Sequence, residues 1–320
     1  MKNTKWFIYL LVIAAIVTIV SVIIRILTPG YKKVPETEFI STNRYGSTSK
    51  LSNIIFNGDR SQLAVPAELA LAQAQNTETT ASYVEEQLTD QFSLTLLEGT
   101  DNIWQGSLYS LSKNNQQYVL VSNQEAPIGK TLNKEQAIST ASTLLNNFFP
   151  NLGLVALEKE ISFFKAGFHL EESSEADAEI MEIPFTYKLN GIPVFYAHSE
   201  DFPFKVMLNS NYQIQKLTFQ PFFVNLTISA KAKSISIDQA IENINQNKAS
   251  IVFAYYEGHG SLSLEEIASG MLTQVSLEYR IDDELKIAYP FYRFKGTLIN
   301  NKGDELRAEL ITPAVQTSAK

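Results

Sequence analysis

IPFTYKLNGIPVFYA, residues 183–197, decides how this chain is read. Apolar residues alternate on either side of Asn190-Gly191. A two-residue hairpin turn needs positive φ at both central positions, which Asn and Gly tolerate best, so the stretch predicts a tight β-hairpin. Downstream, FKVML (204–208) and YQIQKLTFQ (212–220) flank Asn209-Ser210-Asn211 and predict a second hairpin. Upstream, ISFFKAGFHL (161–170) reads as a strand. A helix signal precedes them. Asn133 and Gln136 are spaced as a capping box, and Ala137, Ile138, Ala141, Leu144, Leu145 and Phe148 follow on one stripe until Pro150. Residues 126–228 thus read as a helix followed by antiparallel strands.

The pattern recurs over 229–320. Ser236 and Gln239 form a second capping box ahead of Ala240, Ile241 and Ile244. QVSLEYRI (274–281), LKIAYPFYRF (285–294) and a pair around Asn300-Asn301-Lys302-Gly303 follow. Thr186-Tyr187-Lys188-Leu189 parallels Glu278-Tyr279-Arg280-Ile281, and matches in the same order point to duplication. An earlier unit, 61–125, carries a helix over about 78–90 and a strand at Phe92, Leu94 and Leu96. A hairpin there joins IWQGSLYSLS to QQYVLVS through Lys113-Asn114-Asn115. PAELALAQAQ (66–75) fits helix or strand. Residues 29–60, rich in Gly, Pro, Ser, Thr and Asn, read as a tether.

The N-terminus predicts a membrane anchor. WFIYLLVIAAIVTIVSVII (6–24) is uncharged, and such a run spans a hydrocarbon core of about 30 Å. Trp6 and Tyr9 suit one interface, Arg25 the other, and Thr28-Pro29-Gly30 stops the helix. A cleaved signal peptide is the rival reading, but the run is longer than the usual apolar region and no small-x-small site follows closely. The expected layout is a cytoplasmic tail (1–5), a single transmembrane helix (6–28) in contact with lipid, and an extracytoplasmic C-terminal domain at the cell membrane. The expected fold class is α+β: that helix followed by tandem small helix-plus-antiparallel-sheet units.

Charge narrows the partners. The chain has 34 acids and 26 bases, and residues 1–33 hold five of the bases (Lys2, Lys5, Arg25, Lys32, Lys33) and no acid. That leaves 21 bases against 34 acids, so residues 34–320 carry −13. So acidic a domain repels phosphate backbones, which disfavours nucleic acid. With no cysteine, disulfides, thiol catalysis and Cys-based zinc sites are excluded.

The capped helices carry a family likeness. Asn133, Glu135, Ala137, Ile138 and Ala141, and again Ser236, Asp238, Ala240 and Ile241, open a helix before an antiparallel sheet. This pattern resembles PepSY-like domains, and the short tail, membrane helix and tandem units resemble the YycH/YycI type of membrane-anchored regulator. The turns at Asn209 and Asn300 depart from the Asp-x-x-Thr-Gly turn such domains often carry. The resemblance implies a non-catalytic envelope protein that binds and modulates a protein partner.

No catalytic, metal or cofactor pattern stands out. His169, His198 and His259 are too far apart for a helical metal pair. His198-Ser199-Glu200-Asp201 holds a nucleophile, base and orienter by type, but strand neighbours point to opposite faces, so it reads as a solvated turn. Glu257-Gly258-His259-Gly260 reads as a turn after IVFAYY. The acidic run 171–179 lacks the glycine turn and bidentate end of a calcium loop. Phe202, Phe204, Phe222 and Phe223 are the expected partner-binding residues, as aromatic pairs beside prolines. Self-association in a structural assembly and an enzyme with residues from distant segments are the alternatives.

Overall fold

Asn190 and Gly191 take φ +51° and +81°, the left-handed pair a type I′ turn needs. They fold strand Ile180–Leu189 back onto Ile192–Tyr196, with Leu189 opposite Ile192 and Tyr187 opposite Val194. The structure is a computed structural model that describes residues 34–35, 50–76, 81–114, 117–167, 169–197, 202–220, 224–256, 266–282 and 286–318.

Along the chain come β1 (Val34–Pro35), β2 (Lys50–Leu51), β3 (Ile54–Phe56) and β4 (Glu68–Asn76). Helix α1 (Ala81–Gln91) leads into β5 (Thr95–Leu96), β6 (Ile103–Gln105), β7 (Tyr109–Lys113) and β8 (Tyr118–Ser122). Helix α2 (Lys134–Phe148) leads into β9 (Val155–Ala156), β10 (Ser162–Lys165), β11 (Glu171–Glu172), β12 (Ile180–Leu189), β13 (Ile192–Tyr196), β14 (Phe204–Asn209) and β15 (Ile214–Phe219). After β16 (Val224–Lys233), helix α3 (Ile237–Asn245) leads into β17 (Ser250–Tyr255), β18 (Glu266–Asp282), β19 (Ile287–Asn300), β20 (Glu305–Pro313) and β21 (Thr317–Ser318).

Strands β2 to β20 join in one 19-stranded mixed sheet, and β1 pairs in parallel with β21 beside it. The first lobe runs β5-β6-β7-β8-β15-β14-β12-β10-β11, all antiparallel. The second runs β17-β20-β19-β18, also antiparallel. The far edge of β18 takes β2, β3 and β13 in parallel. A β4–β16 ribbon meets β19 at Ile287 and Ala288. The lobes are continuous because β12 outruns β14. Its residues 180–185 pair with β14, and its residues 187–189 pair with β13, which passes on to β18.

This corrects the expected fold class. The described residues are not α+β in tandem small units; they form one large mixed sheet, 51% strand and 18% helix. The physical reason is pairing across the expected boundaries. Strand β8 of the first expected unit pairs with β15 of the second, and β13 of the second pairs with β18 of the third. The expected single-pass membrane helix has no counterpart among the described residues. Among the described residues no helix is long and apolar enough to cross a membrane. Residues 6–28, with Trp6, Tyr9 and Arg25, lie outside the described residues.

Two cores lie against the sheet. In the first, Val84 and Leu88 of α1 and Ala137, Ala141, Leu145 and Phe148 of α2 pack with Leu111, Leu120, Leu217, Val206 and Ile183. Asn133 caps α2 by accepting from the Gln136 N–H at 2.9 Å, typically worth about 1 kcal/mol. Phe149, just beyond α2, sits edge-on to Phe204 and to Phe219, each 5.0 Å away, and Phe219 stacks on Tyr118 at 4.9 Å. In the second core, Ala240 and Ile244 of α3 pack with Leu272, Leu298, Leu306 and Leu310. The Ser236–Gln239 capping box forms in full. Asn245 accepts from the Ile54 N–H and donates to the Ile54 carbonyl, both at 2.9 Å, which ties the three-residue β3 to the end of α3.

The closing hairpins of both lobes share one turn. The buried Asn209 accepts at Oδ1 from the N–H groups of Asn211 (2.9 Å) and Gln213 (3.1 Å). The buried Asn300 does the same for Lys302 (3.0 Å) and Asp304 (2.9 Å). The fourth residue of each takes positive φ, +59° at Tyr212 and +86° at Gly303. The likeness stops at strand order. After α2, β10 pairs with β12, which opens the hairpins of the first lobe, whereas after α3 the first strand, β17, pairs with β20, the last of the second lobe.

Candidate interaction surface

Paired residues on neighbouring strands point to the same face of a sheet. In the second lobe Ile55 pairs with Met271, Met271 with Thr297, Thr297 with Arg307, and Arg307 with Tyr255. These five side chains therefore form one row across β3, β18, β19, β20 and β17. The other face of the same strands carries Leu272, Leu298, Leu306 and Leu310, buried in the second core. The row faces solvent: Ile55 is 58% exposed, Tyr255 50% and Met271 45%. Ile299 (39%) and Phe253 (40%) flank it in the adjacent rows. Arg307 is exposed within the row and makes no ion pair among the described residues.

Toward the first lobe the same face closes over a buried charge network. Glu278 uses both carboxylate oxygens: Oε1 accepts from Arg280 Nε at 2.7 Å and Oε2 from Arg293 Nη1 at 3.1 Å. Arg293 also bonds Glu309. Lys295 pairs with Glu309 at 3.3 Å and with Glu160 at 3.2 Å, and Glu160 belongs to the first lobe. Arg280 donates to the Ala197 carbonyl at 3.2 Å. The Phe195 ring lies under both guanidinium groups, 5.8 Å from Arg280 and 5.6 Å from Arg293. Burial pushes the Glu278 carboxyl up, but Arg280 and Arg293 outweigh it and hold the group below the ordinary carboxylate value. Burial likewise lowers the Arg293 guanidinium, and Glu278 and Glu309 more than reverse that. With every carboxylate oxygen of Glu278 bonded to a cation, this cluster joins the lobes and offers no free acid or base.

No family model, curated protein or solved structure matches the chain.

The sequence-predicted partner residues do not gather on the exposed row. Phe204 is fully buried, edge-on to Phe149 and Tyr187, because the strand alternation that places Lys205 outward turns Phe204 into the first core. Phe202 is half-buried, its ring 5.9 Å from Phe195. Phe222 and Phe223 lie outside the described residues, as do residues 198–201 and 257–260 with His198 and His259. His169 is exposed on the loop after β10. In the acidic run, Glu179 accepts from the Gly129 N–H at 2.6 Å and the Ala166 N–H at 3.0 Å, so it braces two loops. Among the described residues no three His, Asp or Glu side chains cluster to hold a metal. An open cleft of about 930 Å³ at the start of α2 is lined by Lys134, Glu135, Glu158 and Glu175, and Lys134 pairs with Glu175 across it at 3.2 Å.

Sequence reasoning missed Ile55, Met271, Ile299, Phe253 and Tyr255. Phe253 and Tyr255 were legible as alternate members of IVFAYY. Met271 was not, because Gly270, Thr273 and Gln274 hide the strand around it.

Proposed function

We propose that this protein is a non-catalytic protein-binding module that seats a protein partner on the solvent face of the second lobe. The observation that carries the reading is the register row Ile55–Met271–Thr297–Arg307–Tyr255, with Phe253 and Ile299 beside it. Ile55, Met271 and Tyr255, with Phe253 and Ile299 beside them, cost solvation when left bare, and exposed apolar groups gathered on one face mark interaction sites. Met, Tyr, Phe and Arg are the types enriched where partners dock. The regulatory sense of the reading rests on the resemblance of the two capped helices to PepSY-like domains.

Crosslinking of the tagged full-length chain in cells, followed by mass spectrometry, tests the reading. We expect one dominant heterologous partner, lost on Met271→Glu with Tyr255→Glu while thermal stability is kept. A partner retained by that double variant, or crosslinks to the chain alone, overturns it.

A further inference from the structure

We propose that the partner is held by strand addition: an extended segment of another protein, flanked by basic residues, pairs with the outer edge of β17. This rests on the reading of the second lobe as a protein-binding surface and names how binding occurs.

Strand β17 closes the second lobe at one side. Among the described strands it pairs with β20 alone. An edge strand presents backbone N–H and C=O groups at fixed spacing, and the occupant that satisfies such a row is another extended strand. Edges that are kept unpaired carry protection, chiefly lysine, proline or a bulge. The comparison lies within this molecule. Strand β16, which pairs with β4 alone among the described strands, carries Lys231 and Lys233 and a bulge between Ile228 and Ala230. Strand β17 reads SIVFAY, without charge or proline. Its bulge falls at Val252 and leaves Phe253, Ala254 and Tyr255 as a regular run opposite Glu309, Ala308 and Arg307.

Side chains choose the same edge. Phe253 and Tyr255 are exposed on the face that carries the apolar row. An added strand lays its own alternate side chains against these two rings, and aromatic–β-branched pairs are among the stabilising cross-strand contacts. The row then continues onto the partner.

Charge chooses the occupant. The chain carries −8 overall and −13 over residues 34–320, so a second copy is repelled and a basic segment is drawn in. Arg307, opposite Tyr255 at the last position of β17, disfavours a cation within the paired stretch. The basic residues therefore belong beyond its ends and uncharged β-formers inside it.

The test uses the full chain and a synthetic peptide, Lys-Lys-Thr-Val-Thr-Val-Thr-Lys-Lys, with an alternately N-methylated copy as control. Hydrogen–deuterium exchange is read peptide by peptide. We expect slowed exchange within residues 250–255 on adding the peptide and none with the N-methylated copy. Phe253→Lys with Tyr255→Lys should weaken binding about tenfold or more, since it removes two cross-strand pairs and installs lysine protection. No protection at 250–255, protection at 224–233 instead, or equal protection by the N-methylated peptide overturns the proposal. So does a concentration-dependent dimer that protects 250–255 without peptide. If these fail while Met271→Glu with Tyr255→Glu still loses the crosslinked partner, strand addition falls and the binding face stands.

Discussion

Glu278→Gln is the substitution whose consequence follows most directly from the structure. The glutamine keeps the shape of the carboxylate and removes its charge, so Arg280 and Arg293 lose the anion that both of them bond. Glu278 and Arg280 are almost wholly buried, and Arg293 nearly so. Arg293 keeps Glu309, and Arg280 keeps the Ala197 carbonyl and the Phe195 ring. Breaking one side of a buried ion pair costs about 3–5 kcal/mol, because an uncompensated charge remains in the interior. For a domain of this size that lowers the melting temperature by about 10 °C. Circular dichroism during heating and urea titration at pH 7 measures both quantities. The pH dependence gives a second reading. The folded carboxyl lies below the ordinary value near 4.5, so its stabilisation is present above that value and lost as pH falls through the lower, folded one. The gap between wild type and variant should therefore hold from pH 7 to 5 and shrink progressively as pH falls below about 4.5. Replacing Glu278, Arg280 and Arg293 together by Leu or Met should recover much of the loss, since the buried Glu278–Arg280 pair is removed whole and Glu309 keeps Lys295. A gap under about 1 kcal/mol, or one that does not shrink as pH falls below about 4.5, would refute the reasoning.

Two further predictions concern backbone devices. Asn209→Ala and Asn300→Ala should each destabilise by about 1–3 kcal/mol, and by similar amounts, because each strips the acceptor from two turn N–H groups; urea midpoints of the two variants check this. Gly296→Ala should cost about 1–3 kcal/mol or more, since its Cβ would meet Met271 O at 2.3 Å and Leu272 Cα at 2.7 Å, both backbone atoms. A Gly296→Ala protein as stable as wild type in thermal unfolding would show that β18 and β19 can part at the Leu272 bulge without loss.

Local signals in this sequence were strong and the long-range ones silent. Asn190-Gly191 named its own turn, and Asn133 and Ser236 cap helices where expected. The helix expected near 78–90 runs Ala81–Gln91. PAELALAQAQ hid its strand because both faces are buried: Leu69 and Leu71 enter the second core, Ala70, Ala72 and Ala74 the first. Apolar residues on both faces erase the period of two. Strand β18 spans 17 residues, but Gly270 and the bulge near Gln274 break its alternation, so only its second half was legible. The pairs that merge the expected units, Tyr118 with Phe219 and Val194 with Tyr279, are distant in sequence. Nothing local announces such pairings, and tandem units were the natural misreading. The candidate surface was hidden for the same reason, since its row exists only once five strands are in register. Glu278 and Arg280 looked like the polar side of a half-exposed strand. They are buried because the β13 segment and Phe195 lie over them.

The central claim is that the exposed face of the second lobe binds a protein. A photocrosslinking side chain placed at Met271, with the same group at Val121 on the first lobe as control, tests it most directly in cells. We expect a single heterologous adduct from Met271 and none from Val121. Equal adducts from both positions, or none from Met271 while the protein remains folded, would contradict it.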